Sequence, residues 1–240
     1  MRKDERHQIK RDELVTLLER TSDYIGTHPK AVGLVAAALA LALVGFLAAR
    51  SWAGSRAAEA SFLVGEMIQT YGAPVTASLE DLPEAGGVPT YGTVEERDGR
   101  ALEIADTILS RYGRSPSAPK ARYYRGLALA GLKRPDEAGA AFEEILKRHP
   151  RDFLAPLARH QLARLLESGG RPGEALIHYQ ALADDARGVF PREEGLLGVA
   201  RCQEALGQKE EALRTYRRVV ADFPDSDYQF EARRKAEELG

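Results

Sequence analysis

Residues 31–49 are nineteen consecutive Ala, Leu, Val, Gly and Phe residues fenced by Lys30 and Arg50, and no other stretch constrains the chain so strongly. At ~1.5 Å rise per residue they make a helix of about 28 Å, against ~30 Å of bilayer hydrocarbon. A core helix of a soluble domain keeps a polar face, and this run has none. A cleaved signal peptide places ~7–15 apolar residues after a short basic leader, whereas thirty residues come first here. The expectation is an uncleaved transmembrane helix over residues 31–49. Eight of the nineteen residues are Ala, so insertion is driven by five Leu, three Val and Phe46. Trp52 and Tyr24 stand where interfacial aromatics belong. Gly33 with Ala37, and Ala38 with Ala42, are small residues four apart at which a second helix could approach closely.

The distribution of Lys and Arg sets the orientation. Residues 1–30 hold seven of them and the thirty residues from Arg50 hold two, Arg50 and Arg56. Basic segments stay cytoplasmic, which puts the N-terminus inside and the remaining 190 residues on the far side. Removing the first fifty residues (8 basic, 6 acidic) from 34 basic and 36 acidic leaves 26 against 30, a charge of −4. No basic patch or aromatic-basic motif calls for nucleic acid. The single cysteine, Cys202, excludes an internal disulfide and lies too far along the chain to carry a lipid beside the span.

Residues 1–30 form a charge-dense tail of alternating sign with a short apolar stripe at Leu14, Leu17, Leu18 and Ile25, suited to a membrane surface or to a solvated tail. Pro29 marks a boundary before the span. Residues 50–99 are expected to hold one helix, 59–71, with Phe62, Leu63, Met67 and Ile68 as its apolar face, and then a loop. That loop, 72–93, carries four Gly and three Pro and reads as an insertion.

From residue 94 the chain repeats. Ala138, Ala175 and Ala212 are 37 apart, and each is followed four residues later by an aromatic, Phe142, Tyr179 and Tyr216. A turn and an acidic residue precede each Ala, as in LKRPDEA, SGGRPGEA and LGQKEEA, and Pro150 and Pro224 close two of the units. Four residues is one helical turn, so Ala and aromatic share a face. The Ala permits two helices to cross closely while the ring fills the gap beside it. Gly126, Ala163 and Ala200 hold the matching small position of the leading helices, behind Arg122, Arg159 and Leu196 where a large aromatic is expected. Arg187 stands where a closing Pro belongs, with Pro191 four later, which indicates a local insertion. A degenerate first unit is expected from the 59–71 helix and Ala101 with Ala105, and a charged capping helix over 227–239.

The A-x-x-x-[FY] pattern with its terminal Pro resembles the tetratricopeptide repeat. The 37-residue spacing, with the phrases RYGRSPSAPKARYYRG and DFPDSDYQFEARRKAEEL, is similar to bacterial envelope repeat proteins such as the Tol-associated coordinator and the repeat lipoprotein of outer-membrane assembly. The order of tail, span and repeat domain resembles the ancillary subunit of the Sec translocon. The resemblance implies an all-α chain with an N-terminal transmembrane helix and a tetratricopeptide-like solenoid over residues 100–240, held in a bacterial inner membrane with the repeats in the periplasm. It implies a non-enzymatic scaffold for other proteins, whether translocon subunits, periplasmic chaperones or envelope-assembly proteins. A cell-division or envelope adaptor with one fixed partner is the alternative.

In such a solenoid the leading helices line the concave surface. Tyr123, His160 and Leu197 share one register position, and Leu127, Arg164 and Arg201 share another one turn later. These six are the expected partner-binding groove, with the arginines holding a partner's carboxylate and Tyr123 and Leu197 giving apolar contact. Nothing indicates catalysis, a cofactor or a metal: His7, His28, His149, His160 and His178 form no ligand set, and Cys202 has no nucleophile signature.

Overall fold

The computed structural model describes residues 29–76, 89–185 and 188–240. The tail stripe and Tyr24, the interior of the 72–93 loop and Arg187 lie outside the described residues. Nine helices account for nearly all of what is described: α1 (Pro29–Tyr71), α2 (Val94–Tyr112), α3 (Ala118–Gly131), α4 (Pro135–Arg148), α5 (Leu154–Ser168), α6 (Pro172–Ala183), α7 (Arg192–Ala205), α8 (Lys209–Asp222) and α9 (Gln229–Leu239). The chain divides into two units between Ser55 and Arg56.

In the first unit the apolar run lies within α1, whose opening residue is Pro29, a residue suited to the first helical turn because its missing N–H would have no partner there. The large side chains from Leu34 to Leu47 are exposed, Leu34 and Leu41 at 74% each. The helix is long and apolar enough to cross a membrane. It does not stop at residue 49, however. Residues 50–58 contain Ala, Ser and Arg with only Gly54 as a weak breaker, so no separate helix begins at residue 59.

In the second unit, residues 56–71 of α1 pack on α2 and α3. The buried face is Ala60, Val64 and Met67 against Ile104, Ala105 and Ile108 of α2 and Ala121 of α3. The expected face was partly wrong: Phe62 is 75% exposed and Ile68 38%. Small Ala60 permits the close approach, and from it the 3.6-residue period leads through Val64 to Met67, leaving Phe62 on the opposite side. The ends of the 72–93 loop are held by a parallel bridge between Val75 and Tyr91, with Thr76 N–H donating to Tyr91 C=O at 3.0 Å. Thr93 caps α2 by accepting from Glu96 N–H at 3.1 Å, and the Glu96 carboxylate reaches back to Gly92 N–H.

From α2 onward each helix packs against the helices before and after it in the chain. The turns between paired helices share one conformation. Lys133, Gly170 and Gly207, 37 residues apart, all have positive φ (58°, 72° and 76°). In each turn the next N–H bonds back across the helix end, Arg134 to Leu129, Arg171 to Leu166 and Gln208 to Gln203, at 2.8–2.9 Å. Pro135 and Pro172 then start the second helices, while Arg134 and Arg171 clasp Glu137 and Glu174 with two bonds each at 2.6–2.7 Å. These are the LKRPDEA and SGGRPGEA phrases expressed as structure.

Candidate functional site

The repeat-packing residues Ala138, Phe142, Ala175, Tyr179, Ala212 and Tyr216 are all 0% exposed. Their close fit is measured by the glycines opposite. A Cβ on Gly126 would lie 2.5 Å from the Phe142 ring, and one on Gly198 would lie 2.3 Å from the Tyr179 ring. Arg122, in the place of the expected aromatic, is 6% exposed and ion-paired to Glu144 at 3.1 Å, which itself pairs with Arg148 at 3.0 Å.

Two of the packing aromatics carry a hydroxyl, and around each the chain builds a polar rung. Tyr179 donates to Glu167 at 2.7 Å, and Glu167 also receives Nε and Nη2 of Arg201, from the next leading helix, at 2.8 and 3.2 Å. The guanidinium lies 5.7 Å from the centre of the Tyr179 ring. One unit later Tyr216 donates to Glu204 at 3.1 Å, and Glu204 receives Lys235 of α9 at 3.0 Å. Burial alone would raise the Glu167 carboxyl, but the bonds from Arg201 and Tyr179 outweigh it and hold it below the usual carboxylate range. Burial and the Glu167 carboxylate together push the Tyr179 hydroxyl up. Cys202, buried beside this rung, has its thiol pushed up to about 11 by burial, then by the charge of Glu167.

The six expected groove residues are therefore not equivalent. Leu197 is 1% exposed and belongs to the core with Ala232 of α9, so it presents nothing to a partner. Arg201 is already neutralised by Glu167 and cannot serve as an open carboxylate receptor. His160 is half-buried, 3.0 Å from Glu194 and against the ring of Phe190 at 4.7 Å between centres. Burial lowers its pKa, and the positive charges of Arg164 and Arg201 add to that against the opposing pull of Glu194. Tyr123 is half-buried on Phe142, 5.9 Å between ring centres, and Leu127 is half-buried at the edge of the same core. Arg164 is exposed, and no carboxylate among the described residues lies within ion-pair distance of it. It opens onto a cavity of about 470 Å³ bounded by Ala130, Phe142, Gln161, Leu165 and Glu167. Glu167 and Glu204 were not anticipated, although both stand at one register position, 37 apart, and each lies twelve residues before its tyrosine.

Two family models described as tetratricopeptide repeat match the chain, over residues 99–153 and 194–226. No curated relative matches the sequence. Among solved structures it is similar to a Podosopora anserina protein of nearly identical TPR-like repeats, with a TM-score of 0.51 at 16% identity, covering 60% of this chain and 78% of that one. It is also similar to YrrB, a TPR protein with an unusual peptide-binding site, at a TM-score of 0.45 and 23% identity over 60% of this chain and 75% of that one. A third is MamA from residue 41 to its end, from Desulfovibrio magneticus RS-1, at 0.44 and 18% over 60% and 81%. At such identities the likeness is one of fold. The described residues form an all-α, TPR-like solenoid, in which residues 99–153 and 194–226 match tetratricopeptide repeats, and an N-terminal helix apolar enough to cross a membrane.

Proposed function

We propose that the chain is a membrane-anchored, non-enzymatic scaffold that holds a segment of another protein against the surface formed by Tyr123, Leu127 and Arg164, with His160 at its margin. The observation that carries this reading is Arg164, an exposed guanidinium that forms no ion pair among the described residues and lies beside half-buried apolar side chains. A cation beside apolar surface suits recognition of a peptide bearing an acidic group. In this reading the apolar part of α1 is the anchor, the basic tail is cytoplasmic and the repeats face the periplasm of a bacterial inner membrane. Partners are proteins exported across that membrane, their chaperones or translocon subunits. A C-terminal reporter active only in the cytoplasm would overturn the orientation.

Photo-crosslinking from Tyr123 and Leu127 in intact cells tests the role. Capture of translocon components, chaperones or many exported chains is the expected result. Capture of one or two fixed envelope proteins would instead make the chain a dedicated assembly or division adaptor, and capture of nothing would remove this surface from consideration.

A further inference from the structure

The 37-residue register exposes a rung that the chain leaves unbuilt. Positions 167 and 204 are Glu, and the equivalent residue one unit earlier is Ala130. Positions 179 and 216 are Tyr, and the equivalent residue is Phe142. Position 201 is Arg, and its equivalent, Arg164, is still Arg. The first rung thus keeps its cation and lacks both the carboxylate and the hydroxyl that complete the second. Ala130, Phe142 and Arg164 line one cavity, of about 470 Å³, and no carboxylate among the described residues pairs with Arg164.

We infer that this cavity is a subsite for one glutamate side chain of a bound partner segment, received by Arg164 in the place that Glu167 takes against Arg201. The inference rests on the groove reading above and names the partner group that groove selects. The filled rungs show which chemistry the position takes: a carboxylate on two methylenes, received by a cation from the next leading helix. The walls agree. Ala130 and Leu165, both partly exposed, suit the methylenes, with the buried Phe142 ring behind them, and Arg164 supplies one positive charge for one negative charge. A dianion such as a phosphate suits the site less well, because Arg164 is the one cation among the described residues of the lining and the nearby Arg201 is already paired to Glu167.

The test uses the full chain in detergent micelles and peptides selected on it from a randomised displayed library. Selected peptides are expected to carry Glu, and changing that Glu to Gln is expected to weaken binding about tenfold, near 1.4 kcal/mol. Ala130→Glu, which supplies the missing carboxylate from within, is expected to abolish the difference between the Glu and Gln peptides while the melting temperature holds or rises. Arg164→Gln, at an exposed position, should abolish it as well. Peptides that bind equally well with Gln would overturn the subsite and leave the groove standing, as would a preference for Glu that survives both substitutions. Failure to select any peptide would overturn the subsite and the groove together.

Discussion

The unit around Tyr179 and the unit around Phe142 use the same aromatic, in the same register, for opposite ends. Tyr179 is held on both sides, by packing against Gly198 and by its hydroxyl on Glu167, which in turn holds Arg201. Phe142 has the packing contact with Gly126 but no polar anchor, and the cavity at Arg164 lies on the same junction. One oxygen atom and one carboxylate therefore separate a closed junction between repeats from one with a solvent-facing cation that has no ion pair among the described residues. In a repeat protein, the position at which an internal interaction is omitted is a place where an external one can be made.

The comparison can be broken most sharply at the glycines. Gly198→Ala drives a methyl group into a ring that cannot retreat, and unfolding of the full chain should show a loss of about 3 kcal/mol. Gly126→Ala meets a ring held by packing alone, without a hydroxyl anchor, and a loss nearer 1 kcal/mol is expected. Equal losses would mean that the Glu167 rung does not restrain Tyr179.

Removing the cations should separate the two rungs next. Arg201→Ala leaves Glu167 half-buried without its charge partner, and a destabilisation of about 2 kcal/mol is expected, below the full effect of a buried pair because both side chains keep some solvent contact. Arg164→Ala removes an exposed side chain without an ion pair and should change stability by less than ~0.5 kcal/mol. The same rung sets an acid limit. The Glu167 carboxyl titrates below its unfolded value of ~4.3, so its contribution is present above that pH and is lost as pH falls through its folded value. Thermal melts of wild type should therefore drop more steeply in that window than melts of Arg201→Ala.

The hydroxyl itself gives a smaller difference. Tyr179→Phe should destabilise by about 1 kcal/mol, while Phe142→Tyr, which adds a hydroxyl without its carboxylate, should bring no such gain. A comparable stabilisation by Phe142→Tyr alone would show that the first rung needs no glutamate. Smallest is the turn contrast: Lys133 holds the positive φ that glycine holds at 170 and 207, so Lys133→Gly should raise stability by about 0.5 kcal/mol, read as a shift in the denaturation midpoint.

Much of the helical frame was legible because its determinants are local. The Ala and aromatic pairs, the Pro starts and the left-handed turns recur at 37 residues, and each acts within a few residues of itself. The groove was legible only as a register. Register assigns a side chain to a face and says nothing of what covers that face. Leu197 shares its position with Tyr123, yet it is buried because α9 brings Ala232 and Tyr228 onto the same cluster. His160 shares that position too and is covered by Phe190 from the segment before α7. Arg201 and Arg164 are the same residue type at the same position, and only the carboxylate across the junction tells them apart.

By itself, the sequence determined the apolar run long enough for a membrane, the repeat period, the faces of α3 to α8 and the close packing of small residues on rings. Each follows from helical geometry and side-chain volume. Tertiary structure alone decided that Ala60 and Val64 rather than Phe62 face inward, and which arginine is consumed inside the fold. Those outcomes depend on distances between residues about thirty or more positions apart, and a one-dimensional pattern carries no information about which of two equivalent charges finds its partner there.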